Sequence, residues 1–549
     1  MSSDARPETT SIRRADGSEA RPFPRIVRRE PAARESLAGA LLWGELRDLF
    51  PAPPGILPGA ETLHERAVGT PLPAAAFTTT SEGARERLAR IRAGEGVVVT
   101  TGQQPGLFLG PLYTVYKAAT AVNLAARLER ESGVPVLAVF WVASDDHDWD
   151  EVAACRILDR DEELRTLRLA PAAGRAARSV GTAPLPDDVV SLLRAFREEI
   201  GGAVAGAPPP WFSELRKAYA PGRTFGAAFV DALAAAFDGL DLAILDSADP
   251  GLRAGAAELY AEIVEAPEAV IAAMSAGRAR VAERDRAPVL TPPESGLQIF
   301  MDDGRVRRHL LRDGDGFHVD GSEGLAQSEL LARLAADATA FTPAAALRPV
   351  LESRLLPTAA TVLGPGEIAY WAQLPPLFEV LGVPMPRVMA RDAWALVEPR
   401  VDRLLEKLGL DVGTVESEGE GIDDRWIRHS RPPEVREALE RLAAKLAKGF
   451  DGLDRAVARE LPGLKSAAGK ARHRAEEALG DLGRTIDARI RQREEVAIAQ
   501  AARLRRHLLP GGAPQERVVA AAQFLARHGR PLLRDLLAAG RVAGPDGPA

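Results

Sequence analysis

Two short polar segments of the chain carry residue types that could do chemistry. The first, TTGQQPGLFLGP at residues 100–111, combines hydroxyl, amide and glycine residues, and the second, SDDHDWDE at residues 144–151, gathers carboxylates around one imidazole. Each follows an apolar run typical of a β-strand, at residues 96–100 and 134–142. In open parallel α/β sheets, ligands bind outside the carboxyl ends of the strands. The sequence therefore predicts an active site where these two segments meet.

The glycine-rich segment could bind an anion. A helix is predicted to begin at Gly110-Pro111, and the free N–H groups at a helix N-terminus favour phosphate or carboxylate. Its glycine spacing matches neither the dinucleotide fingerprint nor the P-loop, so a tight turn with glutamine side chains capping the backbone is the alternative. Lys117 could add charge or be an ordinary solvated helix residue. The candidate binding residues here are Thr101, Gly102, Gln103, Gln104, Gly106, Tyr113 and Lys117.

The acidic segment offers a proton acceptor. His147, oriented by Asp146 or Asp148, could be a general base that removes a proton from an amine. Alternatively, the imidazole and two carboxylates could hold Mg²⁺ with a nucleotide or Zn²⁺ for hydrolysis, or the segment could be a solvated acidic turn. Trp141 is expected in the pocket wall or core. Cys155 is expected to be a buried structural thiol rather than a nucleophile.

A third polar segment, GPGE at residues 364–367, repeats the strand–turn–helix pattern. Gly364 and Gly366 would open a helix N-terminus suited to a carboxylate or phosphate. Glu367 could bind a substrate ammonium, or it could be only a favourable acid in the first helical turn. Tyr370 is expected to line the pocket.

Further candidates lie elsewhere in the chain. Arg348 and Arg354 could bind carboxylates as bidentate forks, or they could form surface ion pairs. Asp246 and Asp249 lie at the end of another predicted strand and are weaker candidates. His309 is expected at the surface, and the basic cluster Arg305, Arg307 and Arg308 on a solvated face of a hairpin.

Alternating strands and helices must position these segments. Such alternation over about 300 residues predicts an α/β fold with a doubly wound parallel sheet. The core is expected at residues 34–390, with insertions near 155–225 and 287–345, the second containing a hairpin around Asp303-Gly304. The predicted core strands are 96–100, 134–142, 240–246, 358–363 and 385–389.

The terminal regions have a different character. Residues 391–509 carry apolar residues every three or four positions around a break at Pro462-Gly463, which predicts an α-helical antiparallel coiled-coil domain. Because a two-helix hairpin is too thin to bury both apolar stripes, a homodimer through the coiled coil is expected. Residues 510–549 should form a helix that returns to the core and a frayed tail. Residues 1–33 lack periodicity and are expected to be a disordered arm.

Composition excludes several classes of protein. The 549-residue chain has a net charge of −7, which gives no general attraction to nucleic acid or to an anionic membrane. A single cysteine excludes an intramolecular disulfide. No apolar run reaches the roughly 18 residues of a membrane span. A cytoplasmic protein without nucleic-acid or membrane partners is expected.

Four motifs, in this order, resemble those of the cysteine-adding enzymes of bacillithiol biosynthesis, the BshC-type cysteine ligases. They are GQQPGLFLGPLYTVYK at 102–117, VFWVASDDHDWDE at 139–151, LRPVLESRLLPTAATVLGPGEIAYWAQL at 347–374 and LLPGGAPQER at 508–517. The resemblance implies a Rossmann-like core related to class I nucleotidyltransferases, two insertions, and a coiled coil used for dimerisation. Where the family's second motif more often reads EDHD, this chain has Asp145, whose side chain is one methylene shorter.

The resemblance also implies a reaction, in which cysteine is joined to the amine of glucosaminyl malate. Amide formation in water needs an activated carboxyl group, so ATP or another nucleotide, with or without Mg²⁺, is expected, and no redox cofactor. Two alternatives remain open on the residues alone. One is a metal-dependent amide hydrolase that uses the DDHD cluster, and the other is a non-catalytic scaffold built on the coiled coil.

Overall fold

The computed structural model describes residues 24–29, 46–69, 72–170, 179–200, 210–302, 307–319 and 324–540. The chain forms two compact units, one from the residues up to Leu396 together with those from Glu516 onward, the other Val397–Gln515. The strands are β1 Arg25–Arg28, β2 Phe77–Thr79, β3 Val97–Gln103, β4 Val136–Val142, β5 Ala154–Leu158, β6 Leu164–Arg168, β7 Leu242–Asp246, β8 Gly296–Asp302, β9 Arg307–Asp313, β10 Gly316–Val319, β11 Phe341–Pro343, β12 Thr358–Leu363, β13 Arg387–Ala390 and β14 Trp394–Val397.

A six-stranded sheet in the order β13-β12-β3-β4-β7-β2 is the centre of the first unit. The first five strands are parallel, and only β2, at the edge, runs antiparallel to its neighbour β7. Each predicted core strand is present. The order reverses beside β3, because β4 and β7 follow on one side and β12 and β13 on the other. The predicted doubly wound sheet is therefore confirmed.

Both faces of this sheet are buried, as the near-continuous apolar strands require. Along β3, Val97 and Val99 belong to one buried cluster and Val98 to the cluster on the opposite face. The same alternation divides Phe140 from Trp141 in β4. The helices that cover the faces and extend the unit are Ala60–Gly69, Glu82–Arg92, Tyr113–Ser132, Trp149–Val152, Val189–Ile200, Pro210–Ala218, Phe225–Ala236, Pro250–Gly255, Ala257–Glu265, Pro267–Ala282, Gln327–Ala336, Arg348–Leu355, Pro365–Trp371 and Pro375–Val380.

The two predicted insertions have different structures. The first contains the antiparallel pair β5–β6 and the helix Val189–Ile200, whose Leu193 and Phe196 join the same buried cluster as Phe140. The first insertion thus contributes to the core. The second forms a four-stranded sheet in the order β10-β9-β8-β11, and its β8–β9 pair confirms the predicted hairpin, although the turn itself lies outside the described residues.

The segment after Glu516 packs on the sheet unit. Its helices include Ala521–His528 and Pro531–Ala539, and a short helix, Gln515–Val518, precedes them. Residues 519 and 520 separate Gln515–Val518 from Ala521–His528. There the carbonyl of Val519 accepts the N–H of Leu112 at 2.9 Å, and the N–H of Ala520 donates to the carbonyl of Arg156 at 2.8 Å. The helix is interrupted there because its backbone groups bond to the core.

Part of the arm that was expected to be disordered is a strand. β1 pairs with β14, and the N–H of Arg29 donates to the carbonyl of Ala393 at 2.8 Å. Arg28 forms an ion pair with Asp392 at 3.2 Å, and Arg29 lies 3.4 Å from Glu516. The expectation was wrong for residues 25–28, because their partners lie hundreds of positions away and leave no local periodicity. Residues 1–23 and 30–33 lie outside the described part of the chain.

Apart from Val397, which ends β14, the regular elements of the second unit are all helices within the described residues. Pro433–Glu460 and Lys465–Arg493 form the predicted antiparallel hairpin around the turn at Pro462. Arg472 contacts Asp451 at 2.9 Å across the two helices. The other helices of the unit are Pro399–Leu408, Val412–Glu418, Ile422–Ser430 and Glu495–Leu508. No helix of the described chain combines the length and the apolar character needed to cross a membrane.

Candidate active site

A cavity of about 650 Å³ opens at the carboxyl ends of the parallel strands. The sheet registers bring the end of β3 level with that of β4, the end of β4 level with that of β7, and the end of β12 level with that of β13. The cavity therefore lies at the edge where the strand order reverses, the usual ligand position in such sheets. Its polar, aromatic and glycine lining residues are Gly102, Gln103, Gln104, Tyr113, Lys117, Trp141, Asp145, Asp146, His147, Ser247, Thr291, Gln298, Phe300, Arg307, His309, Arg348, Gly364, Gly366, Glu367, Tyr370, Arg391 and Arg517.

Most of the residues proposed from the sequence come together at this cavity. Three separate motifs supply them, and they converge because each motif ends or follows a neighbouring strand of one sheet. The predicted residues that line the cavity are Gly102, Gln103, Gln104, Tyr113, Lys117, Trp141, Asp146, His147, Arg348, Gly364, Gly366, Glu367 and Tyr370.

Three residues predicted in the glycine-rich and acidic segments lie outside the lining. The Thr101 hydroxyl is buried and donates to the carbonyl of Val362 at 2.8 Å, between β3 and β12. The Gly106 carbonyl accepts the hydroxyl of Tyr219 at 3.1 Å. The Asp148 side chain is exposed and caps the short helix that follows it. In this structure the three residues support the backbone around the cavity.

The glycine-rich loop is packed against other parts of the protein. Leu107, Phe108 and Leu109 are fully buried, and the helix begins at Tyr113, two residues after the predicted Pro111. The N–H of Leu112 just before the helix is taken by the carbonyl of Val519 at 2.9 Å. The N–H of Thr114 in the first helical turn is also taken, by the carbonyl of Pro111 at 3.0 Å, so these two N–H groups are not free to bind an anion.

Lys117 is buried, with 3% of its side chain exposed. Its Nζ donates to the carbonyl of Gly102 at 2.8 Å and to Oε1 of Gln103 at 2.9 Å, and it forms an ion pair with Glu367. Burial lowers the pKa of Lys117, whereas the Glu367 carboxylate raises it. The alternative of a solvated helix residue is wrong.

Glu367 has two partners within the protein. Besides Lys117, its Oε2 accepts the N–H of Gly364 at 2.8 Å, which closes the first turn of the helix Pro365–Trp371. The carboxylate still lines the cavity. It combines the role of a first-turn acid with a position from which it could approach a ligand.

The two arginines proposed as carboxylate forks differ in position. Arg348 lines the cavity, donates to the hydroxyl of Tyr370 at 3.0 Å, and lies 3.3 Å from the buried carboxylate of Glu352. Arg354 does not line the cavity and pairs with Glu262 at 2.7 Å. The geometry favours a site position for the first and an ion pair for the second.

Asp146 is held as a carboxylate. Its Oδ1 accepts the N–H groups of His147 at 2.6 Å and Asp148 at 3.1 Å, and its Oδ2 accepts a hydrogen bond from the Gln104 amide. Burial alone would raise the pKa of Asp146, but these donors lower it below its ordinary value. Gln104 also reaches Glu151 at 3.1 Å, so it ties the two polar segments together.

His147 presents an accessible imidazole to the cavity. About half of its side chain is exposed, and its Nδ1 lies 3.7 Å from Oδ1 of Asp146, beyond hydrogen-bonding distance. The carboxylate thus lies beside the imidazole ring without a hydrogen bond to it. This arrangement suits a group that takes up and releases a proton.

Asp145 has a partner that sequence reasoning missed. Arg253, from the helix Pro250–Gly255, forms an ion pair with the Asp145 carboxylate and also donates to the carbonyl of Thr339 at 3.2 Å. The N–H of Asp145 donates to Oγ of Ser247 at 3.2 Å. Since Arg253 is 108 positions away, no local pattern could have identified it.

The carboxylates of the acidic segment consequently contact different partners and do not converge on one position. Asp145 faces Arg253, Asp146 faces Gln104, and Asp148 caps a helix. Within the described residues, no three His, Cys, Asp or Glu side chains are placed to hold a metal ion together. The geometry gives no support to the metal-dependent hydrolase.

Arg391 and Arg517 also line the cavity and were missed. Arg391 follows β13 and donates to Glu516 at 2.6 Å and to the carbonyl of Asp392 at 3.1 Å. Arg517 is exposed at the cavity and comes from the segment that returns from the helical unit. The motif LLPGGAPQER ends at Arg517 and was the one available signal.

The insertion sheet supplies a further wall, which corrects two expectations. The Arg307 guanidinium lies 3.8 Å from the centre of the Phe300 ring. The centres of the Phe300 and His309 rings are 4.0 Å apart. All three line the cavity, so Arg307 and His309 are not simply solvated surface residues. Segments 289–292 and 343–346 complete this wall.

Cys155 lies outside the cavity lining and is buried. Burial raises the pKa of its thiol far above the ordinary value, so the thiolate is disfavoured. This agrees with the expected structural thiol.

Two family models match the chain. The N-terminal Rossmann-like domain of bacillithiol biosynthesis BshC matches residues 73–392, and the C-terminal coiled-coil domain of the same family matches residues 394–542. Relatives named "Putative cysteine ligase BshC" are similar over most of their length. A protein of Thermus thermophilus is 34% identical over 463 residues, covering 82% of this chain and 88% of the relative. The relative in Symbiobacterium thermophilum is 32% identical, covering 81% and 82%, and that in Salinibacter ruber 30%, covering 83% of each.

Proposed function

Because the chain belongs to the BshC family of bacillithiol biosynthesis, we propose that it is a cysteine ligase that joins L-cysteine to the glucosamine amine of glucosaminyl malate. The product is an amide, and the carboxyl group of cysteine is activated by ATP or another nucleotide, with Mg²⁺ carried by its phosphates. One observation carries the proposal. Segments that match family motifs, although far apart in the chain, line a single cavity at the switch point of the sheet.

The proton chemistry of the reaction is supported by Asp146 and His147. An amine attacks an activated carboxyl group only after it has lost a proton from its ammonium form. The Asp146 carboxylate, kept ionised by its hydrogen bonds, can attract the ammonium, and the accessible His147 imidazole can accept the proton. We assign His147 as the general base and Asp146 as the group that orients the substrate and stabilises the imidazolium.

The size and charge of the cavity suit the proposed substrates. About 650 Å³ falls within the range of roughly 300–1,000 Å³ for small-molecule sites. Arginine side chains are available for carboxylates or phosphates, and Phe300 and Tyr370 offer aromatic surface for a sugar or base. These features support an anionic sugar conjugate and a nucleotide as ligands.

A homodimer is part of the proposal. Leu442 and Leu453 on the helix Pro433–Glu460 are 45% and 46% exposed, and Leu482 on the neighbouring helix is 48% exposed. Large apolar side chains exposed along one long hairpin favour a partner surface. We propose that the hairpin of a second copy covers them.

The test is a comparison of low-molecular-weight thiols in cells with and without the gene, by mass spectrometry. We expect loss of the cysteine conjugate and accumulation of glucosaminyl malate, restored when the gene is returned. An unchanged thiol pool would refute the function. In parallel, calorimetry on purified protein separates an enzyme from a scaffold, because a scaffold would bind neither nucleotide nor glucosaminyl malate.

A further inference from the structure

Three side chains form a corner of the cavity that the proposed chemistry has not used. Tyr113 begins the helix after the glycine-rich loop, Arg391 follows β13, and Arg517 belongs to the returning C-terminal segment. The Arg391 guanidinium lies 5.8 Å from the centre of the Tyr113 ring. Arg517 is also near enough to act electrostatically on the Tyr113 hydroxyl. All three side chains therefore border the same part of the cavity.

The corner offers hydrogen-bond donors that the protein does not use. Within the described residues, neither the Tyr113 hydroxyl nor the Arg517 guanidinium forms a hydrogen bond or ion pair. Arg391 uses its two terminal nitrogens for Asp392 and Glu516, but its Nε lies 3.6 Å from the position that a Cβ on Gly364 would occupy, beside the cavity. Burial raises the pKa of Tyr113 to about 12, so the phenol keeps its proton and can donate.

The charge balance favours one anionic group. Lys117 is compensated by Glu367, and Arg391 by Glu516, with both members of the second pair about 5% exposed. Besides burial, the carboxylates of Glu151 and Glu367 raise the pKa of Tyr113. Arg517 is the cation of this corner without a carboxylate partner in the described chain. A carboxylate or phosphate would supply the missing negative charge.

We propose that Tyr113, Arg391 and Arg517 bind a carboxylate of the malate moiety of glucosaminyl malate, and that Arg517 determines specificity for this anionic end. The inference rests on the proposed function. A nucleotide phosphate has related chemistry, but the corner holds a single uncompensated cation rather than the several that a polyphosphate would need. A malate carboxylate matches that charge.

Two consecutive residues of the returning segment, Glu516 and Arg517, contribute to this subsite in different ways. Glu516 is buried and fixes Arg391, and it also lies 3.4 Å from Arg29. Its neighbour Arg517 faces the cavity. The site is thus completed by residues that follow the whole helical unit in the chain, which gives a reason for the segment to return to the sheet.

The test is isothermal titration calorimetry on the full-length protein with three probes: glucosaminyl malate, methyl glucosaminide, which lacks malate, and ADP. The variants are R517A and Y113F. The matched control is R534A, an exposed arginine of the same segment that is outside the cavity lining and unpaired within the described chain. Thermal unfolding should show that each variant folds, since Arg517 is exposed.

We expect R517A to weaken glucosaminyl malate binding about 10- to 100-fold and Y113F about 5-fold, because R517A removes an opposite charge together with its hydrogen bonds, whereas Y113F removes one hydrogen bond. ADP and the methyl glucosaminide should bind to the variants as to the wild type, and R534A should change nothing. Weakened ADP binding with unchanged glucosaminyl malate binding would overturn the assignment in favour of a phosphate site. Equal loss for all probes would also overturn it.

Different results would reject the carboxylate subsite and the proposed function. If the wild type binds glucosaminyl malate and R517A binds it equally well, the carboxylate subsite is wrong and the proposed function stands. If the folded wild type binds no glucosaminyl malate, the function is wrong, and the assignment of this corner fails with it.

Discussion

The Lys117 ammonium and the Glu367 carboxylate form an ion pair across the point where the strand order of the central sheet reverses. Lys117 belongs to the helix after β3, and Glu367 to the helix after β12. The pair joins the two halves of the sheet at the cavity. It places a cation and an anion side by side, so that neither is available alone to a ligand.

Breaking this pair should cost stability. K117M leaves a partly buried carboxylate without its cation, and we expect the free energy of unfolding to fall by about 3 kcal/mol. E367Q should also be destabilising, and the double variant should lose less than the sum, with a coupling of about 1–3 kcal/mol. Urea unfolding of the three variants measures this coupling. The control R333M removes an exposed pair with Glu329 and should change stability by less than about 1 kcal/mol. Additive losses for the main pair would contradict its role.

Removing Arg253 should damage the site through Asp145. In R253M a buried carboxylate loses its ion-pair partner, so we expect a loss of about 3–5 kcal/mol in the free energy of unfolding. The second change D145N removes the uncompensated charge and should restore part of that stability. Thermal or urea unfolding of both proteins tests this. If D145N fails to improve R253M, the arginine does not act through Asp145.

His147 should affect activity without affecting stability. Its side chain is half exposed, so H147A should change the free energy of unfolding by no more than about 0.5 kcal/mol. Loss of a general base should reduce product formation about 100- to 10,000-fold. The control D148N keeps a helix-capping side chain outside the cavity lining and should stay near wild-type activity. Near-normal turnover of H147A would reject the assignment.

Asp392 should make stability depend on pH. Burial raises its pKa to about 6, against the opposing effect of Arg28. Because the pKa of Asp392 is higher in the folded state, folding favours the protonated carboxyl group. The free-energy cost of burying the charged carboxylate is therefore present at high pH and disappears as pH falls through about 6 towards 4. D392N does not titrate. Its free energy of unfolding relative to wild type should therefore decrease by about 1.4 kcal/mol from pH 8 to pH 5. A constant difference, measured by urea unfolding across that range, would contradict the raised pKa.

The exposed leucines of the hairpin should control association. Leu442 and Leu453 are eleven residues apart, about three helical turns, and so lie on one side of their helix. L442E and L453E together should convert the proposed dimer to a monomer in sedimentation experiments, with helix content retained. The control A444E changes an exposed residue on the opposite side and should leave the dimer intact. Unchanged sedimentation of the leucine variant would refute this interface.

The sequence by itself determined the elements and where their polar ends fall. β4 is a continuous apolar run, and β12 is apolar apart from Thr358 and Thr361. The polar segments that follow these strands stop the pattern within a few residues. Parallel strands place such ends at one edge of a sheet, so the convergence of Gln104, His147 and Glu367 on one cavity could be predicted from local patterns alone.

Only the tertiary structure decided which side chains face that cavity and which distant residues hold them. Thr101 and Asp148 turn to bond with the backbone, although their neighbours line the cavity. Arg253 and Arg517 reach it from separate parts of the chain. The physical reason is that periodicity records whether a local segment is buried, whereas ion pairs between distant residues depend on how the packed elements meet.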